Sequence, residues 1–308
     1  MKNQKSGIIA PTRKLHFVNK KVKENIFAYA MLAPDIIGLA IFIFLPILIA
    51  LFVSFNDWNA LEPMKFAGLQ NYKEALADIE WWNSIKTTII YTLMYVPMVY
   101  CISLLIALFI NSIPGKAQEF FRTMYFVPYA ISTVVAAMIW KFMFDPQRGF
   151  INDILWIFGI EPQSFLGDPQ QALFCIAFIS AWLVIGYYSI IFLTALKDIP
   201  VSYYEAAKLD GANTFRTFTS ITFPLLKEVN AFVLVITTIA SFQVFDVIKI
   251  LTNGGPANAT NVSVFYIYRN SFDYMKLGYS SALAFLLFII IFVFSFMLLK
   301  MTKGHSDD

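Results

Sequence analysis

Charged residues are scarce in this sequence, 14% of 308 residues, where an average soluble domain carries about 25%. Histidine and cysteine are scarcer still, with two of each. His16 and His305 lie in polar tails, so the apolar part has no imidazole to hold a zinc ion or to activate a nucleophile. Cys101 and Cys175 sit inside apolar runs and read as small buried hydrophobes, which excludes a disulfide framework and a cysteine metal site. No G-x-x-x-x-G-K-[ST] stretch occurs, so the chain has no P-loop of its own for ATP. The formal charge of +3 is too small to indicate a nucleic-acid partner.

Hydrophobic residues supply the balance. They make up 58% of the chain, including 32 Phe, and the mean hydropathy is +0.65. A bilayer core about 30 Å thick is crossed by about 20 apolar residues in helix. Six runs meet that test, at roughly 26–54, 85–110, 120–143, 171–196, 229–250 and 279–300. The first is too long for the apolar core of a signal peptide. Helices are the expected form, since isolated strands cannot satisfy their backbone in lipid. The predicted fold is therefore all-α, a polytopic bundle of six transmembrane helices over residues 26–302, with tails at 1–25 and 303–308.

Basic residues orient the bundle. Lys2, Lys5, Arg13, Lys14, Lys20, Lys21 and Lys23 precede the first run, which keeps that end in the cytoplasm. With six spans the other inner segments hold Lys116, Arg122, Lys197, Lys208, Arg216, Lys227, Lys300 and Lys303, so 15 of the 23 basic residues lie inside and both termini are cytoplasmic. The outer loops, Asn56 to Trp82 and Asp145 to Gln170, then place Trp58, Trp81, Trp82 and Trp156 at headgroup level, where a ring with one polar atom is comfortable.

The longest inner loop, about 197–228, breaks the apolar pattern with YYEAAKLDGANTFRTFTSITFP, Tyr203 to Pro224. Pro200 can open a helix over Tyr203–Leu209, and Gly211 suits the residue just past a helix end. A second short helix follows, N-capped by Asp210 or Asn213, until Pro224 removes a donor and turns the chain. On residue chemistry alone, this is equally well an amphipathic connector at the membrane surface.

This segment resembles the EAA loop of permease subunits of bacterial ABC importers, E-A-A, three residues, G, nine residues, I, one residue, then commonly L-P. Glu205, Ala206, Ala207, Gly211, Ile221 and Pro224 match, and Phe223 replaces the usual Leu. Leu251 to Phe285, beginning LTNGGP, is similar to the outer segment and last span of carbohydrate-uptake permeases of the maltose and glycerol-phosphate type. LAPDIIGLAIFIFLPILIALFVSFNDW and Arg122 to Phe144 fit the same family, so the likeness covers nearly the whole chain after about residue 26. The resemblance implies a non-catalytic subunit in the bacterial inner membrane. It would pair with a homologous permease, two ATPase subunits that bind ATP and magnesium, and an extracellular sugar-binding protein delivering a sugar or oligosaccharide. No cofactor would be bound by this chain. The coupling residues implied are Glu205, Ala206, Ala207, Asp210 and Gly211: the alanines allow close helix approach, Glu205 can pair with a cation of the partner, and Gly211 ends the helix sharply.

Polar groups inside apolar runs mark pathways or interfaces. The candidates are Asp35, Ser180, Tyr187, Tyr188, Ser241, Gln243, Asp246 and Lys249. Asp246 and Lys249 are one helical turn apart and could simply pair with each other. In SFQVFDVIK, amide and carboxylate groups alternate with Phe242 and Phe245, which suits the hydroxyls and C–H faces of a sugar. The resemblance places the cavity on the fourth and fifth spans, with Tyr187 as an aromatic contact, while Val184 and Ala240 depart from the maltose pattern. Two other function classes compete. An intramembrane enzyme lacks a His or Cys constellation, and an ion-coupled transporter would use Asp35 and Asp246.

Overall fold

The computed structural model describes residues 14–303; the basic residues before Lys14 and the tail 304–308 lie outside them. The chain divides between Val53 and Ser54 into two bodies. In the first, α1 (Lys14–Leu39) passes through a π-helical turn at Ala40–Phe44 into α2 (Leu45–Ser54). Residues Val22–Ser54 have a mean hydropathy of 3.1 over their most apolar window, and at 1.5 Å per residue they run about 50 Å, ample to span. The π-turn adds one residue to the helix without breaking it, which shifts the faces of the two halves against each other.

The second body opens with a two-residue hairpin, β1 (Asn56–Asp57) against β2 (Lys65–Phe66), and a short helix, α3 (Gln70–Ala77). Asp78 caps α4 (Ile79–Ser112) by accepting from Glu80 N. Then come α5 (Lys116–Phe126), a 3-10 turn at Val127–Ala130, α6 (Thr133–Met143), α7 (Phe150–Ile157) and α8 (Ala172–Asp198). The predicted inner loop holds α9 (Val201–Leu209), α10 (Thr214–Thr217), a π-turn and α11 (Phe223–Leu225). Finally α12 (Lys227–Phe242), α13 (Asp246–Leu251), α14 (Ser263–Tyr268) and α15 (Leu277–Lys303) complete the chain.

Four helices of the described residues are long and apolar enough to cross a membrane, and six crossings result if each bent pair counts as one. The second, fourth and sixth predicted spans are continuous helices, as hydropathy requires. The third, predicted as one run at 120–143, is bent by 93° between α5 with its 3-10 turn and α6. Pro128 lacks an N–H and Ser132 is extended at φ −56°, ψ 131°, so the ladder stops there. The fifth, predicted at 229–250, unwinds at Gln243–Phe245, where Phe245 leaves helical geometry at φ −143°, ψ −60°. Leu226 makes a further bend of 69° at the start of α12, two residues beyond Pro224.

The main core lies between α4 and α8. Tyr91, Val99, Ala107 and Ile110 of α4 and Ile176, Ile179 and Phe192 of α8 are sealed in it. Burying each of the valine, isoleucine and phenylalanine side chains contributes about 1.5–3 kcal/mol when water is the reference; within lipid, close packing takes over that role. Ser103 Oγ donates to Ile185 O at 3.0 Å, and Thr92 and Ser241 share a hydroxyl bond at 2.8 Å that ties α4 to α12. A second cluster joins Trp81, Phe242, Tyr266, Tyr279 and Leu283. Trp81, expected at headgroup level, is instead wholly buried there, while Trp82 and Trp156 are exposed. Spacing on α4 decides this: Trp81, Ser84, Ile85 and Thr88 share the buried face.

Candidate functional site

The coupling residues singled out from the sequence lie together in the α9–α11 loop. Pro200 N-caps α9, and the helix ends in a paired turn: Ala212 N bonds Ala207 O at 2.9 Å and Gly211 N bonds Lys208 O at 3.2 Å. Gly211 sits at φ +73°, a left-handed value cheap only for glycine. Asn213, and not Asp210, caps α10, its side chain accepting from Arg216 N at 2.8 Å. Tyr204 reaches across to Thr222 at 3.3 Å, so α9 and the following π-turn are held together.

That fold gives the two alanines different surroundings. Ala207 is buried against its own chain, whereas Glu205, Ala206, Leu209 and Asp210 are exposed, Leu209 to 89%. Steps of 100° per residue separate neighbours on a helix, so Ala206 faces outward while Ala207 turns toward the bundle. Phe215, 75% exposed, projects from the neighbouring turn. A cleft of about 900 Å³ lies beside them, lined in part by Leu108, Tyr204, Lys208 and Phe218.

The pathway candidates do not gather at one place. Ser180 is buried, with Tyr91 as its polar neighbour, and its Oγ makes no hydrogen bond of sound geometry. Ser241 is committed to α12's own Thr238 O at 2.7 Å and to Thr92. Gln243 is exposed at the unwound step and lines a cleft with Ile239, Val264 and Ser295. Asp246 is exposed in the first turn of α13, where a carboxylate is favoured by the helix end. It forms no ion pair with Lys249: the ammonium lies over the Tyr268 ring, 4.7 Å from its centroid. Among the described residues the ion pairs are Lys65–Glu62 and Lys276–Glu74. Asp35 is exposed in the first body.

Tyr187 does meet a partner that sequence reading missed. The Tyr129 ring stacks on it with centroids 4.6 Å apart and planes within 15°. Tyr188 packs edge-on to Tyr187 at 5.2 Å. The approach depends on Gly186, because a Cβ there would stand 1.9 Å from Tyr125 O. The bend after Ala130 leaves Tyr129 at the elbow, 45% exposed. A ring inside an apolar run carries no charge signal; the only clue was Pro128, which breaks the run next to it.

Asp78 was also missed. Its Oδ2 accepts from the hydroxyls of Tyr266 and Tyr279, each at 2.5 Å, so one carboxylate joins α4, α14 and α15. Burial alone would raise its pKa, but the two tyrosines and the N–H groups of Trp81 and Glu80 together hold it below the usual carboxylate value. Among the described residues no three His, Cys, Asp or Glu side chains converge as a metal site would require.

The model of the binding-protein-dependent transport system inner membrane component matches residues 80–301. The probable ABC transporter permease protein YurN of Bacillus subtilis is 33% identical over 93% of this chain and 99% of its own. The trehalose/maltose transport system permease protein MalF of Thermococcus litoralis is 33% identical over 93% and 97%. A crystal structure of a bacterial alginate ABC transporter, in complex with alginate pentasaccharide-bound periplasmic protein, contains a chain 26% identical to this one. It aligns with a TM-score of 0.81 over 94% of this chain and 98% of that one. The chain is a multi-pass membrane protein and belongs to the ABC permease family of binding-protein-dependent transport systems.

Proposed function

We propose that this chain forms half of the translocation pathway of an importer for a sugar or oligosaccharide. An extracellular solute-binding protein hands over the substrate, a homologous permease supplies the other half, and two ATPase subunits bind ATP and magnesium. Residues 26–302 form the permease domain in the bacterial inner membrane, with the tails 1–25 and 303–308 in the cytoplasm. The observation that carries the carbohydrate reading is the Tyr129–Tyr187 stack. Flat rings edged by hydroxyls match a pyranose, whose C–H face lies on an aromatic ring while its hydroxyls find phenol partners. The relative named for trehalose and maltose supports the same substrate class.

The coupling face is read from exposure. Glu205, Ala206 and Asp210, with Leu209 added, turn outward on α9, and Gly211 ends the helix so that Phe215 flanks them. Leu209 and Phe215 are apolar anchors for a groove on the ATPase, and Ala206 lets the two backbones approach. Ala207 serves from behind by seating α9 on its own bundle. Within the pathway, Tyr187 contacts the sugar with Tyr129, buried Tyr188 backs Tyr187 edge-on, and Gln243 and Asp246 line the unwound step. Ser180 and Ser241 are held inside the bundle. The reading is tested by measuring ATPase subunits that co-purify with a Leu209→Asp variant: near-complete loss supports this docking face, and wild-type recovery rejects it.

A further inference from the structure

Three contacts fasten α5 and the 3-10 turn that follows it to α8. At the α9 end, Lys197 Nζ donates to Gln118 Oε1 at 2.8 Å and Gln118 Nε2 donates to Ile110 O at 3.0 Å. The amide orientation is fixed by its partners, since an ammonium has only donors and a carbonyl only lone pairs. Ile110 is two residues from the end of α4 and Lys197 is in the last turn of α8, so a single side chain locks three helices. Farther along, Gly186 lets α8 touch Tyr125 O. At the far end Tyr129 stacks on Tyr187.

Gln118 and Tyr129 therefore mark the two ends of one rod about 16 Å long at helical rise. Lys197 leads through buried Ile199 and exposed Pro200 into α9. Phe109 meets Phe121 edge-on at 5.3 Å, which stiffens the α4–α5 turn beside the clamp. On this route two extended residues, Ile199 and Pro200, link α8 to α9.

We propose that α5 and the second half of α8 form a rigid strut, clamped by Gln118 and Lys197, that carries displacement of α9 to the Tyr129–Tyr187 stack. The proposal rests on the coupling role assigned to α9. Gln118 and Lys197 are positioning residues: they touch neither sugar nor nucleotide, and they make α5 follow α8 when α9 is pulled. Without the clamp, the Gln118 end of α5 lags behind α8, and the two rings shift against each other. The strut makes the relative motion of α5 and α9 its measurable consequence.

The test uses the assembled importer, with spin labels at Ser202→Cys on α9 and Phe120→Cys on α5 in a Cys101→Ser, Cys175→Ala background. The probe is MgATP added to a complex whose ATPase subunits bind but do not hydrolyse it. In the otherwise native chain the label distance is expected to be unchanged by MgATP. In Gln118→Leu, and separately in Lys197→Met, the distance should shift on MgATP, and Gln118→Glu, which keeps an acceptor for Lys197, should restore invariance. A shift in the native chain, no shift in either clamp variant, or no rescue by Gln118→Glu overturns the strut. If one variant fails to assemble, the other still decides. Because no sugar is used, failure of the carbohydrate reading shows separately as absent uptake.

Discussion

Tyr129 lies flat on Tyr187, 4.6 Å between ring centroids, although the two are separated by 58 positions and a sharp bend in the third crossing. If the pair is the platform on which a sugar slides, its stacking and not its hydroxyl is the larger part of its contribution. Aromatic pairs are worth about 0.5–1.5 kcal/mol beyond buried area. Tyr129→Ala should therefore lower uptake at saturating loaded binding protein by up to about tenfold, with Tyr129→Phe much closer to wild type. Initial uptake rates in proteoliposomes separate the two; equal losses in both variants would assign the effect to the hydroxyl.

Gly186 sets the spacing beneath that stack. Alanine is normally the better helix residue by about 1 kcal/mol, yet here its Cβ would stand 1.9 Å from Tyr125 O. Overpacking of this kind costs about 1–3 kcal/mol, so the clash wins. Gly186→Ala should lower the thermal midpoint of the purified protein, and a raised midpoint would show that the helices separate freely.

The carboxylate of Asp78 sits under two tyrosine hydroxyls, and hydrogen bonds to a charged group are worth about 1.5–3 kcal/mol. Asp78→Ala should destabilise the protein by about that amount per lost bond. The pKa of Asp78 is depressed in the folded state, so its stabilising contribution is complete above the unfolded carboxylate value. It is lost as the pH falls through the folded value. Denaturant midpoints followed downward from neutral pH should fall on that acid limb in the wild type, and part of the fall should vanish in Asp78→Asn.

Adjacent alanines in α9 should respond differently. Ala206→Trp leaves the bundle intact and blocks the partner, so thermal stability stays while ATPase co-purification drops. Ala207→Trp forces a large ring into the buried side, where overpacking costs about 1–3 kcal/mol, and lowers stability even without the partner. Thermal midpoints of the chain alone discriminate them.

Long apolar runs made the continuous helices α4, α8 and α15 legible from sequence, because hydropathy and length suffice for an unbroken span. The breaks were less visible. Pro128 was in plain view but its 93° consequence was not, and nothing in Gln243–Phe245 announces an unwound step. The turn at Gly211 could be read since only glycine fits there comfortably, whereas the facing of Ala206 against Ala207 needs to know which side the bundle lies on. Asp78 and Tyr129 were missed for one reason: each acquires its role from residues far away in the chain, Tyr266, Tyr279 and Tyr187.

As proposed, this chain imports a sugar handed over by a binding protein and driven by partner ATPases. Radiolabelled oligosaccharide uptake into proteoliposomes holding the assembled complex tests it most directly. Uptake should require both internal MgATP and the external binding protein, and should ignore an imposed proton or sodium gradient. Uptake driven by the ion gradient alone, without ATP or binding protein, would contradict it.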